Sequence, residues 1–167
     1  MGRQVPASVT SAIRTQLALV VVSGVVAVLA VVERDELLRA WAASNPNARV
    51  ILEEGGLEAL HDSTIALPMF APVAVVSFFT FALLAVMLLV FFRGGHPSAR
   101  WSLTGLALFV LLAMAGMVRQ DPPAVFVAVA AVAAVLDVLL LWFLWHRDTS
   151  QFMRGADLAH EADDQQA

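Results

Sequence analysis

One residue of this sequence carries a functional group in a place where such groups are costly. Asp137 lies inside the segment AVLDVLLLWFLWHR, residues 134–147, which is otherwise apolar until its basic end. A carboxylate in the middle of a membrane helix costs about 2.5–3.5 kcal/mol on insertion scales, so intramembrane acids are candidates for proton or ion chemistry. The other residues decide whether Asp137 belongs to a larger site.

The remaining ionisable residues form no pattern typical of catalysis or cofactor binding. The chain has no cysteine, which excludes thiol nucleophiles, thiolate metal sites and disulfides. Its histidines, His61, His96, His146 and His160, lie in four different segments and lack the spacing of metal ligands. We therefore predict no catalytic residue, no cofactor and no metal site. The formal net charge of −4 indicates no particular partner, and no nucleic acid is expected.

An acidic cluster in residues 33–65 has two interpretations. Hard cations bind several carboxylate oxygens, so a weak divalent-cation site is one of them. The spacing matches no calcium loop, however, and Arg34, Arg39 and Arg49 lie among the acids. A solvated helical surface, partly neutralised by these arginines, is the interpretation we favour. The acids are Glu33, Asp35, Glu36, Glu53, Glu54, Glu58 and Asp62, with His61 beside the last.

The amino-acid composition indicates a membrane protein. Apolar residues make up 60% of the chain and charged residues 14%, against about 25% charged in soluble domains. A membrane helix needs about 20 predominantly apolar residues, and its backbone must satisfy its own hydrogen bonds in lipid. Four stretches fit, at about residues 15–32, 66–92, 101–118 and 123–145. The sequence predicts an all-α integral membrane bundle of four transmembrane helices, over residues 15–146.

The arginines favour an orientation with both termini in the cytoplasm. If residues 1–14 are cytoplasmic, six of the ten arginines flank the cytoplasmic side, where membrane proteins carry an excess of basic residues. The short loop RGGHPSAR between the second and third spans falls on that side. An aromatic belt clusters at the same boundary and consists of Phe91, Phe92, Trp101, Trp142 and Trp145.

The first span also has features of a signal peptide. It has a basic start, an apolar run and small residues before a cleavage point after Ala30. Against cleavage, the apolar run is long, and the helical pattern continues through VVERDELLRAWAA. We favour retention as the first transmembrane helix.

Two segments are predicted outside the bilayer. Residues 33–65 form a short, partly helical extracytoplasmic loop, because Leu37, Leu38 and Trp41 recur at helical spacing and SNPN is a turn signal. A second amphipathic helix follows, interrupted at Gly55–Gly56. Residues 147–167 form an acidic cytoplasmic tail, which we predict to be disordered.

The neighbours of Asp137 indicate that it points into the bundle. Its helix face includes Ala130, Ala133 and Ala134, and small residues mark helix interfaces in membranes. Counting residues from the inner ends of the spans places Ser23 at its depth and Thr80 about one turn farther out. We favour a neutral Asp137, hydrogen-bonded to Ser23 or Thr80 and fixing helix packing. A proton relay or ion site is the alternative.

Four segments give the chain a family resemblance. PASVTSAIRTQLALVV, RDELLRAW, SARWSLTGLALF and SQFMRG together resemble small four-helix membrane proteins common in actinobacteria. The resemblance implies the four-helix fold and carries over no activity and no catalytic residue. In similar proteins the position of Asp137 is typically polar and uncharged, which agrees with a packing role.

Together these features predict a non-enzymatic accessory or scaffolding component of a bacterial plasma membrane. Its partners would be the lipid bilayer and a membrane protein or further copies of the chain. The alternative is a small oligomeric transporter or channel subunit that uses Asp137 as an ion- or proton-linked residue.

Overall fold

The protein is all-helical throughout the part of the chain that the structure describes. A computed structural model describes the backbone of residues 5–164 and the side chains of residues 5–155. The helices are α1 Ala7–Val32, α2 Arg34–Ser44, α3 Pro46–Asp62, α4 Phe70–Arg93, α5 Pro97–Val118, α6 Ala124–Trp145 and α7 Arg147–Asp164.

Four of these helices are long and apolar enough to cross a membrane. They are α1, α4, α5 and α6, with 26, 24, 22 and 22 residues. Each packs antiparallel to two others in the order α1–α4–α5–α6, and α6 closes the ring on α1. One end of this bundle holds the start of α1, the α4–α5 turn and the start of α7, and we call it the α7 end. The opposite end carries α2 and α3 and is called the α2–α3 end.

The helix bounds differ from the predicted spans at several ends. The largest difference is in α1, which begins at Ala7 rather than near residue 15, because Pro6 adopts an extended conformation and starts the helix there. Helix α4 begins at Phe70, so Pro72 falls in its first turn, where proline is tolerated. Helix α5 begins at Pro97, again a proline at the first helical position.

Along each of α1 and α6, buried residues recur at alternating intervals of three and four residues. Such spacing keeps one narrow seam of each helix against its neighbour, as in coiled coils and most membrane bundles. The seam of α6 consists of Phe126, Ala130, Ala133, Asp137, Leu140 and Leu144, and that of α1 includes Val9, Ala12, Gln16, Leu19, Ala27 and Ala30.

Away from the seams, the four long helices present apolar side chains outward. Val21, Leu112 and Trp142 are 67%, 73% and 68% exposed. The interior is equally apolar and is filled at the α7 end by Leu89, Phe92, Leu103, Leu140 and Leu144. A bundle that is apolar inside and outside has the character of a membrane domain, because soluble helices keep a polar outer face.

Helices α2 and α3 pack on each other through a second, small core. Ala42, Ala48 and Leu60 are its buried residues. Gly56, at φ 68° and ψ −161°, interrupts α3 at the predicted point with a backbone conformation that favours glycine. The acidic surface of this pair is partly neutralised as expected, by the ion pairs Arg34–Asp35, Arg39–Glu36 and Arg49–Glu53 at 3.3, 2.7 and 3.9 Å.

Residues 147–167 were predicted to be disordered, but the structure has helix α7 over Arg147–Asp164. The reason is tertiary packing, since Thr149 and Met153, one turn apart, are 0% and 2% exposed. The Thr149 hydroxyl donates to the Phe143 carbonyl at 2.8 Å and lies 2.9 Å from the Ser8 hydroxyl. One hydroxyl carries one proton, so Ser8 donates to Thr149 and joins α1 to α7. Residues 165–167 lie outside the described residues.

This buried contact gives the first prediction. Thr149→Val keeps the side-chain shape but leaves the Ser8 hydroxyl without its buried partner, and the Phe143 carbonyl keeps only the His146 N–H at 3.4 Å. The free energy of unfolding in detergent should fall by about 1–3 kcal/mol. Thr149→Ser keeps the hydroxyl and is the matched control. Equal stability of the two variants, measured by denaturant titration, would show that the hydroxyl contact does not hold α7.

Candidate functional site

Asp137 lies inside the bundle, where the alanine face of α6 indicated. It is 1% exposed and occupies a seam position between Ala133 and Leu140. The described interior contains a second polar side chain of similar burial, Gln16 of α1, which is 2% exposed. Both groups occupy seam positions of their helices, so they point into the bundle rather than to its outer surface.

The two side chains have unused hydrogen-bonding capacity. Within the described part of the chain, the Asp137 Oδ2 and Gln16 Nε2 atoms are buried and have no hydrogen-bond partner. A carboxylate oxygen accepts and an amide nitrogen donates, so these atoms are of complementary type. Buried polar atoms without partners cost about 1–3 kcal/mol each, which makes this the least favourable polar arrangement in the interior.

The register of α1 against α6 puts Gln16 and Asp137 at about the same depth. A cleft between the two helices is lined by Val22 and Val25 of α1 and by Val129 and Val132 of α6. Gln16 lies six residues from Val22 toward the α7 end, and Asp137 lies five residues from Val132 in the same direction. At about 1.5 Å per residue these offsets are about 9 and 7.5 Å.

Ser23 and Thr80, the predicted partners of Asp137, bond elsewhere. The Ser23 hydroxyl donates to the Val20 carbonyl at 2.8 Å, and the Thr80 hydroxyl donates to the Val76 carbonyl at 2.9 Å. Thr80 is exposed on the outer surface of α4. Both hydroxyls therefore satisfy the backbone of their own helices.

The depth of Ser23 was counted from Thr15, whereas α1 begins at Ala7. Gly24 packs against Phe78, so Ser23 lies seven residues from Gln16, and Thr80, two residues from Phe78 toward the α7 end, lies at a level about six residues from Gln16. These separations are about 9–11 Å toward the α2–α3 end. Gln16 was missed because it lies near the start of the predicted span, although it shares the three-and-four spacing of Ala12 and Leu19.

The arrangement has two chemical uses. A neutral carboxylic acid and a carboxamide each donate and accept hydrogen bonds, so the pair can hold α1 and α6 in one register. The same acid, with an oxygen free of other partners, could instead take up a proton or a cation. The described interior offers few groups to extend a path, since its other buried polar side chains, Ser8 and Thr149, bond to each other at the α7 end.

Comparison with known proteins gives no match: no family model, no curated protein and no solved structure is similar to the chain.

Two substitutions of Asp137 distinguish a role in helix packing from a role of its ionisable carboxyl group. Asp137→Asn keeps the size and hydrogen-bonding capacity, so the free energy of unfolding should change by less than about 1 kcal/mol. Asp137→Leu places a larger, branched apolar side chain in a seam lined by alanine and should cost about 1–3 kcal/mol through overpacking. Thr80→Val, at an exposed hydroxyl on the outer surface of α4, is the control and should change little. Equal losses in the Asn and Leu variants would contradict a packing role.

Proposed function

We propose that this protein is a multi-pass protein of a bacterial plasma membrane, a non-enzymatic accessory or scaffolding component with both termini in the cytoplasm. The observation that carries the proposal is the distribution of polarity. Four long helices are apolar outward and inward, and charged groups gather at the two ends. The apolar outer surface of such a bundle can contact lipid and other transmembrane helices. This suits a component that associates with other proteins in the plane of the membrane.

The side surfaces support lateral association. The cleft between α1 and α6 has a volume of about 270 Å³ and is lined only by Val22, Val25, Val125, Ala128, Val129 and Val132. Small and β-branched apolar residues allow close approach of another helix in a membrane. A membrane-protein partner or a second copy of this chain is therefore proposed as the associating molecule.

The orientation is supported by the charges at the two ends. The described side chains of the α7 end include five arginines and one acid, whereas the α2–α3 end has four arginines and eight acids. The α7 end thus has one more described arginine, and the positive-inside rule favours the cytoplasm for the end with more arginines. A bacterial source remains a prediction that follows from the resemblance to actinobacterial membrane proteins.

The alternative function is that of a small oligomeric transporter or channel subunit with Asp137 as its ion- or proton-linked residue. The unpartnered Asp137 Oδ2 in the bundle interior is the observation that favours it. Transport would require a polar path from Asp137 to both ends. Oligomerisation would have to supply the residues of that path.

Cysteine labelling tests the topology. The chain lacks cysteine, and Ser44 and Ser98 are exposed at opposite ends of the bundle, so Ser44→Cys and Ser98→Cys introduce single reporters. In intact cells an impermeant maleimide should label residue 44 only, and residue 98 should react only after permeabilisation. Labelling of residue 98 in intact cells would reverse the orientation.

Reconstitution separates the two functions. Purified protein in sealed vesicles should conduct no proton flux that depends on Asp137, and chemical cross-linking in native membranes should capture it at fixed stoichiometry with another membrane protein or itself. A proton flux that is present in the wild type and lost in a well-folded Asp137→Asn variant would establish the alternative.

A further inference from the structure

Two arginines from different helices meet at one residue of the α7 end. The Arg100 Nη2 atom of α5 donates to the Ser150 hydroxyl at 3.0 Å. The Arg154 Nε atom of α7 donates to the Ser150 carbonyl at 3.4 Å. Two positive charges are therefore held close together, although like charges repel.

Aromatic side chains fix the position of Arg100. Its guanidinium carbon lies 4.0 Å from the centre of the Trp145 ring, a cation–π distance. The Trp145 indole N–H donates to the Thr104 hydroxyl at 3.2 Å. The Trp101 ring packs edge-on against the Trp145 ring, with 4.8 Å between the ring centres. The guanidinium is thus oriented before any ligand arrives, which lowers the entropic cost of binding.

The described side chains supply this cluster with no counter-charge. Arg34, Arg39 and Arg49 at the opposite end each have an acid within 4.0 Å. No such acid is present for Arg100 or Arg154 among side chains 5–155, where Asp148 of the same end lies beside His146 at 3.5 Å. The Arg100 Nε atom is buried and lacks a hydrogen-bond partner within the same range. Within the described side chains, the cluster therefore has an unused donor and positive charge that no acid balances.

We infer that Arg100 and Arg154, which meet at Ser150, bind the phosphate of an anionic phospholipid headgroup. Guanidinium groups match phosphate oxygens in charge and in planar, two-pronged geometry. Basic pockets between membrane helices on the cytoplasmic side are suited to anionic headgroups.

A lipid is chosen over a soluble phosphate because of the surface next to the cluster. Trp101 and Trp145 are 65% and 45% exposed there, and tryptophan is enriched at the level of lipid headgroups. Their apolar faces would contact the acyl chains of a lipid whose phosphate lies on the arginines. A free phosphate ion leaves those faces uncovered. The inference rests on the proposed insertion of the four helices in a membrane.

This inference can be tested by native mass spectrometry of the full chain. The chain is released from detergent that contains equal amounts of phosphatidylglycerol and phosphatidylcholine. The wild type should retain phosphatidylglycerol preferentially. Arg154→Gln, at an exposed side chain whose loss leaves the fold intact, should weaken phosphatidylglycerol binding about fivefold, since a basic residue near an anionic surface contributes about 1 kcal/mol. Arg100→Gln with Arg154→Gln should abolish the preference.

Arg93→Gln is the matched control, because Arg93 is exposed at the same end but makes no contact with Ser150 among those described. It should keep the lipid preference. Equal losses in Arg93→Gln and Arg154→Gln, or equal retention of both lipids by the wild type, would overturn the inference. Displacement of phosphatidylglycerol by millimolar inorganic phosphate would also overturn it, in favour of a soluble anion. Recovery of the chain in the membrane fraction separates any of these failures from failure of the proposed function.

Discussion

The packing of α1 on α6 is the constraint on which the rest of this bundle depends. The three-and-four spacing of their buried residues lets the two helices share one long seam, and that seam brings a carboxyl group and a carboxamide into the apolar interior. A slip of either helix would move Gln16 or Asp137 from the seam toward the apolar outer surface of the bundle. Polar groups at seam positions are known to fix the register of helices at some cost in stability.

The same register determines what happens at the α7 end. With α1 and α6 aligned, Ser8 reaches Thr149, and their buried hydroxyls join the start of α1 to the start of α7. Ser150, the next residue, then faces Arg100 of α5. The burial of two polar side chains in the bundle interior and the arginine cluster at the α7 end are thus consequences of one helix alignment.

The arginines at the two ends of the bundle have different partners. At the α2–α3 end, arginines are paired with acids on exposed helix surfaces, and such pairs contribute little to stability because water screens them. At the α7 end, Arg100 stacks on Trp145 instead, and its cluster has no acid among the described side chains. The first arrangement neutralises part of its charge within the chain, whereas the second has no acid partner among the described side chains.

The sequence by itself determined the four helices, the helical segments at the α2–α3 end and the inward direction of Asp137, because apolar length and residue spacing are local properties of the chain. Only the tertiary structure decided which polar groups meet. Helix α1 extends eight residues beyond its predicted start, which moves Gln16 rather than Ser23 to the depth of Asp137. Helix α7 forms where disorder was predicted, since Thr149 and Met153 find buried positions on helices distant in sequence. Both outcomes depend on the alignment of one helix against another, and that alignment is set by packing across the whole bundle rather than by any single segment.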